Sequence, residues 1–232
     1  MHFLSFLLIN RENKEDDDMY KYNKNFFSKI DNEQKAYWAG FIAADGNIRK
    51  DFLKMRIELN IQDKKHLEKF RHAIEGDNPI KENIRPNNHS CYIDVNCKQL
   101  CLDLNDLGIT PKKSLTLDVD FNKIPNKLRH HFIRGYFDGD GSINCYQRST
   151  ANYLEWEISF ISSKKFLNKI LKEFNKERNL YSCGNNFRFC FKGKRDISDI
   201  INYLYKDATI YLDRKFEKIN CFKALNDYQA TT

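Results

Sequence analysis

One pattern is written twice in this chain. Trp38-Ala39-Gly40-Phe41-Ile42-Ala43-Ala44-Asp45-Gly46 and Ile133-Arg134-Gly135-Tyr136-Phe137-Asp138-Gly139-Asp140-Gly141 align residue for residue, 95 positions apart. Gly40 matches Gly135, Ala44 matches Gly139, Asp45 matches Asp140 and Gly46 matches Gly141. Small residues four apart share one helix face. Each copy therefore reads as an apolar helix with a bare stripe that admits a second backbone closely, so Gly40 and Ala44 are expected against Gly135 and Gly139. The aspartate falls where the helix runs out and its last carbonyls lack partners, a place that suits a cation. Asp138 has Ala43 as its counterpart. That asymmetry argues against a metal role and for a place at the surface or behind the acid. Arg134 interrupts an apolar run and is expected on a face that reaches solvent or a partner.

The segments after each copy repeat in the same order. Asp31 is the expected cap of the first helix, with Glu33 and Gln34 behind it. Asn47–Lys50 and Leu53–Gln62 read as strands. In the second, Leu53, Met55, Ile57, Leu59 and Ile61 alternate with Lys54, Arg56, Glu58, Asn60 and Gln62, which predicts one core face and one polar face. Asp63 caps a helix to Ile74, ended by Gly76. A hairpin over 79–97 turns at Pro86-Asn87-Asn88, and a helix from Lys98 stops at Gly108. After Gly141, strands are expected at about 142–149 and 153–161, a helix at 164–176, a hairpin at 180–192, and helices at 196–205 and 213–225. This is an α+β chain of two pseudo-symmetric α-β-β-α-β-β-α units. The expected division is a poorly ordered leader over 1–30, a first unit over 31–108, a linker over 109–126 containing Pro111 and Pro125, a second unit over 127–225 and a short tail over 226–232.

The paired motifs resemble the two LAGLIDADG motifs of a single-chain homing endonuclease, over roughly residues 31 to 225. The resemblance implies antiparallel sheets forming a DNA-binding saddle, with the motif helices packed at a pseudo-two-fold axis. It implies site-specific hydrolysis of double-stranded DNA, one phosphodiester per strand, leaving short 3′ overhangs, by a monomer using Mg2+, with Mn2+ as a substitute. Asp45 and Asp140 carry over as the metal-binding acids. Gln62, Lys98 and Lys194 carry over as further active-site groups, where the family places a glutamine or basic residues. Polar strand faces and helix starts would contact DNA. Lys54, Arg56, Asn60, Lys64, Arg85, Asn87, Asn144, Gln147, Arg148, Lys164 and Arg188 are of types suited to bases or phosphates. The alternatives are a maturase acting on a host intron RNA, or a non-cleaving DNA-binding regulator on the same fold.

Composition narrows the field less. The chain has 232 residues and a formal net charge of +7, a basic excess that fits a polyanionic partner. Seven cysteines are scattered without a C-x-x-C pair. They read as small buried residues in a reducing, intracellular compartment, a bacterial or phage cytoplasm or an organelle of an AT-rich genome, not as disulfides or a zinc site. The apolar run near Phe3–Ile9 is far too short to span a membrane.

Overall fold

The computed structural model describes residues 20–86, 88–147 and 154–231. The first unit runs α1 (Glu33–Asp45), β1 (Gly46–Ile48), β2 (Met55–Asn60), a 3-10 turn (Ile61–Asp63), α2 (Lys64–Ala73), β3 (Ile80–Arg85), β4 (Asn88–Val95) and α3 (Lys98–Asp106). The second runs α4 (Asn126–Asp140), β5 (Ser142–Gln147), β6 (Leu154–Ser162), α5 (Lys164–Glu173), β7 (Tyr181–Cys183), β8 (Asn186–Phe191) and α6 (Lys194–Tyr205), followed by α7 (Asp213–Thr231). Each unit builds one antiparallel four-stranded sheet, in the orders β1-β2-β4-β3 and β5-β6-β8-β7. The α+β fold with two pseudo-symmetric units is the one the repeated motif predicts.

Alternation sets the sheet faces. In β2 and β4 the side chains of Met55, Ile57, Cys91, Ile93 and Val95 are buried, while Arg56, Glu58, Tyr92 and Asp94 lie on the other face. Burying one such large side chain contributes about 1.5–3 kcal/mol, so a slip of one residue would cost the whole set. In the second unit Phe160, Phe189 and Phe191 fill the same place under α5. The helices α2 and α5 end alike. Glu75 and Asn175 take left-handed φ of 55° and 49°, and the next amides return to Arg71 and Leu171. The stop at the first is thus Glu75, one residue before Gly76.

Several sequence expectations are corrected by packing. Leu53 does not join the core face: Phe52 has a left-handed φ of 58°, the strand begins at Met55, and Leu53 is exposed. Asn32, not Asp31, caps α1 by accepting from the Lys35 amide, and Asp31 pairs with Lys35 instead. Asp63 precedes α2 without capping it, because its carboxylate is taken by Arg214. Residues 20–30 are not loose. Phe26, Phe27 and Ile30 are buried, and the Asn23 amide donates to the Ile74 carbonyl. Residues 1–19, including Met19, lie outside the described residues. Cys91, Cys97 and Cys101 are buried as expected, but Cys145, Cys183 and Cys221 are exposed. Among the described residues no helix is long and apolar enough to cross a membrane.

Two charged residues inside the second motif helix, Arg134 and Asp138, are fully buried. Arg134 donates to the Ile210 and Leu204 carbonyls, to His131 Nδ1 and to Glu33 Oε1 at 2.6 Å. Asp138 accepts from the Tyr37 hydroxyl at 2.7 Å, the Tyr205 hydroxyl at 2.7 Å and the Leu212 amide at 2.8 Å. Neither faces solvent. Asp138 ties both units to the start of α7. Truncating it to alanine leaves buried donors unpaired, which should destabilise the fold by about 3 kcal/mol. Urea denaturation of Asp138→Ala checks this.

Candidate active site at the helix pair

The motif helices α1 and α4 approach through their glycines. A Cβ built on Gly40 would lie 1.9 Å from the Phe132 carbonyl oxygen, and one on Gly135 would lie 1.9 Å from that of Tyr37. Near the helix ends a Cβ on Gly139 would lie 2.3 Å from the Ala44 Cβ and 3.3 Å from an Asp45 carboxylate oxygen. The bare stripe read from the sequence is thus the surface on which the two units meet, and it delivers both terminal aspartates to one place.

That place is unfavourable for two anions. Both carboxylates sit at helix C-termini, the negative ends of the helix dipoles. Burial, with the nearby charge of Asp140, raises the Asp45 carboxyl to about 6. Asp140 is open to solvent on one side and is also raised, chiefly by lost hydration; Lys113, the Tyr136 hydroxyl (which donates to it at 3.4 Å) and Lys215 oppose the shift. Two buried lysines answer this charge. Lys113 donates to the Gly46 carbonyl, just past Asp45. Lys215 donates to the Phe137, Gly139 and Gly141 carbonyls around Asp140. Burial lowers the Lys215 ammonium to about 8, with Asp138 the strongest opposing charge. Each lysine therefore clamps the frayed end of a motif helix and acts on both acids.

A cavity of about 260 Å³ opens on Asp140, lined also by Lys113, Ala44, Tyr136 and Ser162. A larger one of about 600 Å³, between the start of α2 and the start of α7, is lined by Gln62, Lys64, Lys65 and Arg214. Arg214 is held by Asp63 at 2.9 and 3.1 Å and also acts on Asp45.

A family description named the WhiA LAGLIDADG-like domain matches residues 34–95 and 129–224. The chain belongs to this family. Solved LAGLIDADG structures share its fold. The I-LtrWI LAGLIDADG homing endonuclease bound to target DNA superposes with a TM-score of 0.61 at 13% identity, over 86% of this chain and 91% of that one. The LAGLIDADG meganuclease I-AabMI bound to uncleaved DNA gives 0.60 at 14%, over 87% and 92%. I-SmaMI, bound to an uncleaved DNA target in the presence of calcium ions, gives 0.61 at 13%, over 87% and 94%. No curated protein sequence matches.

Within this LAGLIDADG-like frame the predicted residues sort by place. Gln62 is exposed and lines the larger cavity. Lys98 and Lys194 are not at the acids. They open α3 and α6, after strands β4 and β8. The β4 end at Val95 pairs with Met55, at the opposite end of β2 from Asn60 and Gln62. The lysines that face the acids are Lys113 and Lys215, one loop further on. A repeated basic pair, Lys112-Lys113 and Arg214-Lys215, marks them in the sequence.

Four of the DNA-face candidates are paired with acids. Lys54 and Arg56 hold Asp94, Lys64 holds Glu82 at 2.8 Å, and Arg188 binds Glu157, which also holds Lys192. Glu157 itself is buried. Asn60, whose side chain caps the 3-10 turn, Arg85, Asn144, Gln147 and Lys164 are exposed. Asn87 and Arg148 lie outside the described residues.

Proposed function

We propose that this protein is a site-specific endonuclease of double-stranded DNA that uses Mg2+, with Mn2+ as a substitute, and cuts one phosphodiester per strand. The observation that carries the reading is the pair of terminal aspartates brought together by α1 and α4 and flanked by Lys113 and Lys215. The DNA in the solved neighbours, and the calcium ions with I-SmaMI, support it by analogy of fold. Homing of an intron, 3′ overhangs and action as a monomer follow from the same reading.

The donor set fits a hard cation. Among the described residues no cluster of three or more His, Cys, Asp or Glu side chains could enclose a metal. Mg2+ is commonly held by one or two carboxylates together with water and substrate phosphate oxygens. Asp45 and Asp140 would hold it. Bound there, it would supply Lewis-acid polarisation of the scissile phosphate and a water of lowered pKa. Lys113 and Lys215 keep the helix ends in place, offset the carboxylate charge and set positive charge beside an incoming phosphate. Gln62 and Ser162, which line the two cavities, would orient water. Pseudo-symmetry gives each acid one strand of an antiparallel duplex.

A second reading, a DNA-binding protein that does not cut, draws on the family description and on the acid pairing of the sheet-face cations. Intron RNA binding by the same face is the third. Incubation with Mg2+ and a randomised duplex library, followed by sequencing of cut ends, separates them. Enrichment of ends at one sequence supports the nuclease; retention of DNA without cut ends supports the second reading.

A pH dependence follows from Asp45. Its folded-state pKa of about 6 exceeds the ordinary 3.8, so the folded chain binds the extra proton. Stability of the metal-free protein should therefore fall as pH rises from about 4 through 6. A cation that binds the ionised acids opposes that loss. We expect Mg2+ alone to raise Tm at pH 7.5 and to leave it unchanged at pH 5, measured by thermal unfolding without DNA.

A further inference from the structure

Arg56 is held differently from the other cations on the sheet faces. On the outer face of β2, its Nε donates to Asp94 Oδ1 at 2.7 Å and its Nη2 to Asp94 Oδ2 at 2.9 Å. Asp94 is its cross-strand partner on β4. The guanidinium carbon lies over the Tyr92 ring, 4.0 Å from its centroid, so a ring contact adds to the two bonds. Lys54 Nζ sits 2.8 Å from Asp94 Oδ2, the oxygen that also takes Arg56 Nη2, and adds a second cation to the carboxylate. Glu58 accepts from the Ser90 hydroxyl at 2.6 Å and comes no closer than 4.0 Å to Arg56 Nη1.

The consequence is geometric. A guanidinium has five N–H donors in a planar fork. Asp94 takes the side edge, Nε and one Nη2 hydrogen. The end edge, one hydrogen each from Nη1 and Nη2, is left parallel and pointing away from the carboxylate. That edge matches the O6 and N7 acceptors of guanine in the major groove, the commonest specific contact of arginine. Two bonds and a ring contact have already removed the rotamer freedom that a flexible arginine would lose on binding. Arg188 on the second sheet is tied to Glu157 through Nη2, a weaker restraint than the bidentate, ring-backed hold on Arg56.

We propose that Arg56, positioned by Asp94 and Tyr92, reads one guanine in the half-site under the first sheet, making that base the most stringently required in this half of the target. The proposal rests on the DNA-recognition reading above. The same fork could meet a phosphate instead, and the two ligands predict different losses.

The test is site selection from a randomised duplex library by the full-length chain carrying Asp45→Asn and Asp140→Asn, so that binding is read without cutting. The parent should show a dominant guanine at one position of one half-site. Adding Arg56→Lys keeps the charge and removes the fork; guanine preference at that position alone should fall about tenfold or more. Asp94→Asn should relax the same position while Arg56 is still present. Thermal unfolding confirms that each variant is folded. Uniform weakening across all sequences would assign Arg56 to a phosphate and overturn the proposal, as would an unchanged preference in Arg56→Lys. A parent that selects no sequence would overturn the function reading together with this inference, whereas a parent with a clear site unaffected by Arg56→Lys overturns the inference alone.

Discussion

Gly135→Val should abolish the native pairing of the two units. The new Cβ would lie 1.9 Å from the Tyr37 carbonyl oxygen, and 2.9 Å from the Phe41 amide nitrogen. These are backbone atoms of a neighbouring helix, so no side-chain rotation relieves the clash. Ordinary overpacking costs about 1–3 kcal/mol when side chains can adjust; here the helices must part. Parting them opens a contact where Tyr37, Trp38, Phe41, Phe132 and Tyr136 are almost wholly buried. We expect a loss above about 4 kcal/mol, in the exceptional range for a single substitution. For a chain of this length that is a fall in Tm of roughly 10 °C or more. Gly40→Val should do the same, since its Cβ meets the Phe132 carbonyl symmetrically. Gly193→Ala is the control: nothing lies within 4 Å of its Cβ position, and the cost of changing that cap should stay below about 1 kcal/mol. Differential scanning calorimetry of the three variants checks the ranking.

The second large effect is chemical. Asp45→Asn with Asp140→Asn should lower the cleavage rate by about 10³-fold or more, since charge stabilisation at the reacting phosphate is commonly worth that much. DNA affinity should move the other way. The change removes two negative charges from a place where burial raises both carboxyls, Asp45 further by the charge of Asp140, and where a polyanion must approach. The double variant should therefore bind its site at least as tightly as the parent at low salt, and should be more stable above pH 6. Loss of cutting with retained or tighter binding, read by gel shift and by cleavage on the same duplex, separates the role of the acids from a folding defect.

The fold was legible because its main constraint is local and repeated. A small-residue stripe and a terminal aspartate stand in consecutive residues, twice. The alternation of β2 and of β4 stands in consecutive residues too. What could not be read locally was wherever a residue is answered from far along the chain. Arg134 looks like a solvent-facing charge, yet Glu33, Leu204 and Ile210 bury it from segments 70 to 101 residues away. Asp138 looks dispensable beside Ala43, yet it holds Tyr37, Tyr205 and the Leu212 amide at once. Asp63 looks like a helix cap until Arg214 takes it. The lysines beside the two acids escape local reading for a related reason. Lys98 and Lys194 follow strands whose ends lie away from the acids, whereas Lys113 opens a 3-10 turn and Lys215 sits in the first turn of α7, and the return of both to the helix pair depends on tertiary packing. Only the repeated basic pair hinted at them.

On the proposed function, two acids at one helix junction serve one strand each. Strand-resolved cleavage tests it most directly. A duplex carrying the selected site, with a different label on each strand, is incubated with Mg2+ and the parent, Asp45→Asn or Asp140→Asn. The parent should cut both strands. Each single variant should spare one strand about 10³-fold more than the other, and the spared strand should switch between the two variants. Equal loss on both strands in either variant, or undiminished double-strand cutting when both acids are changed, would contradict the account.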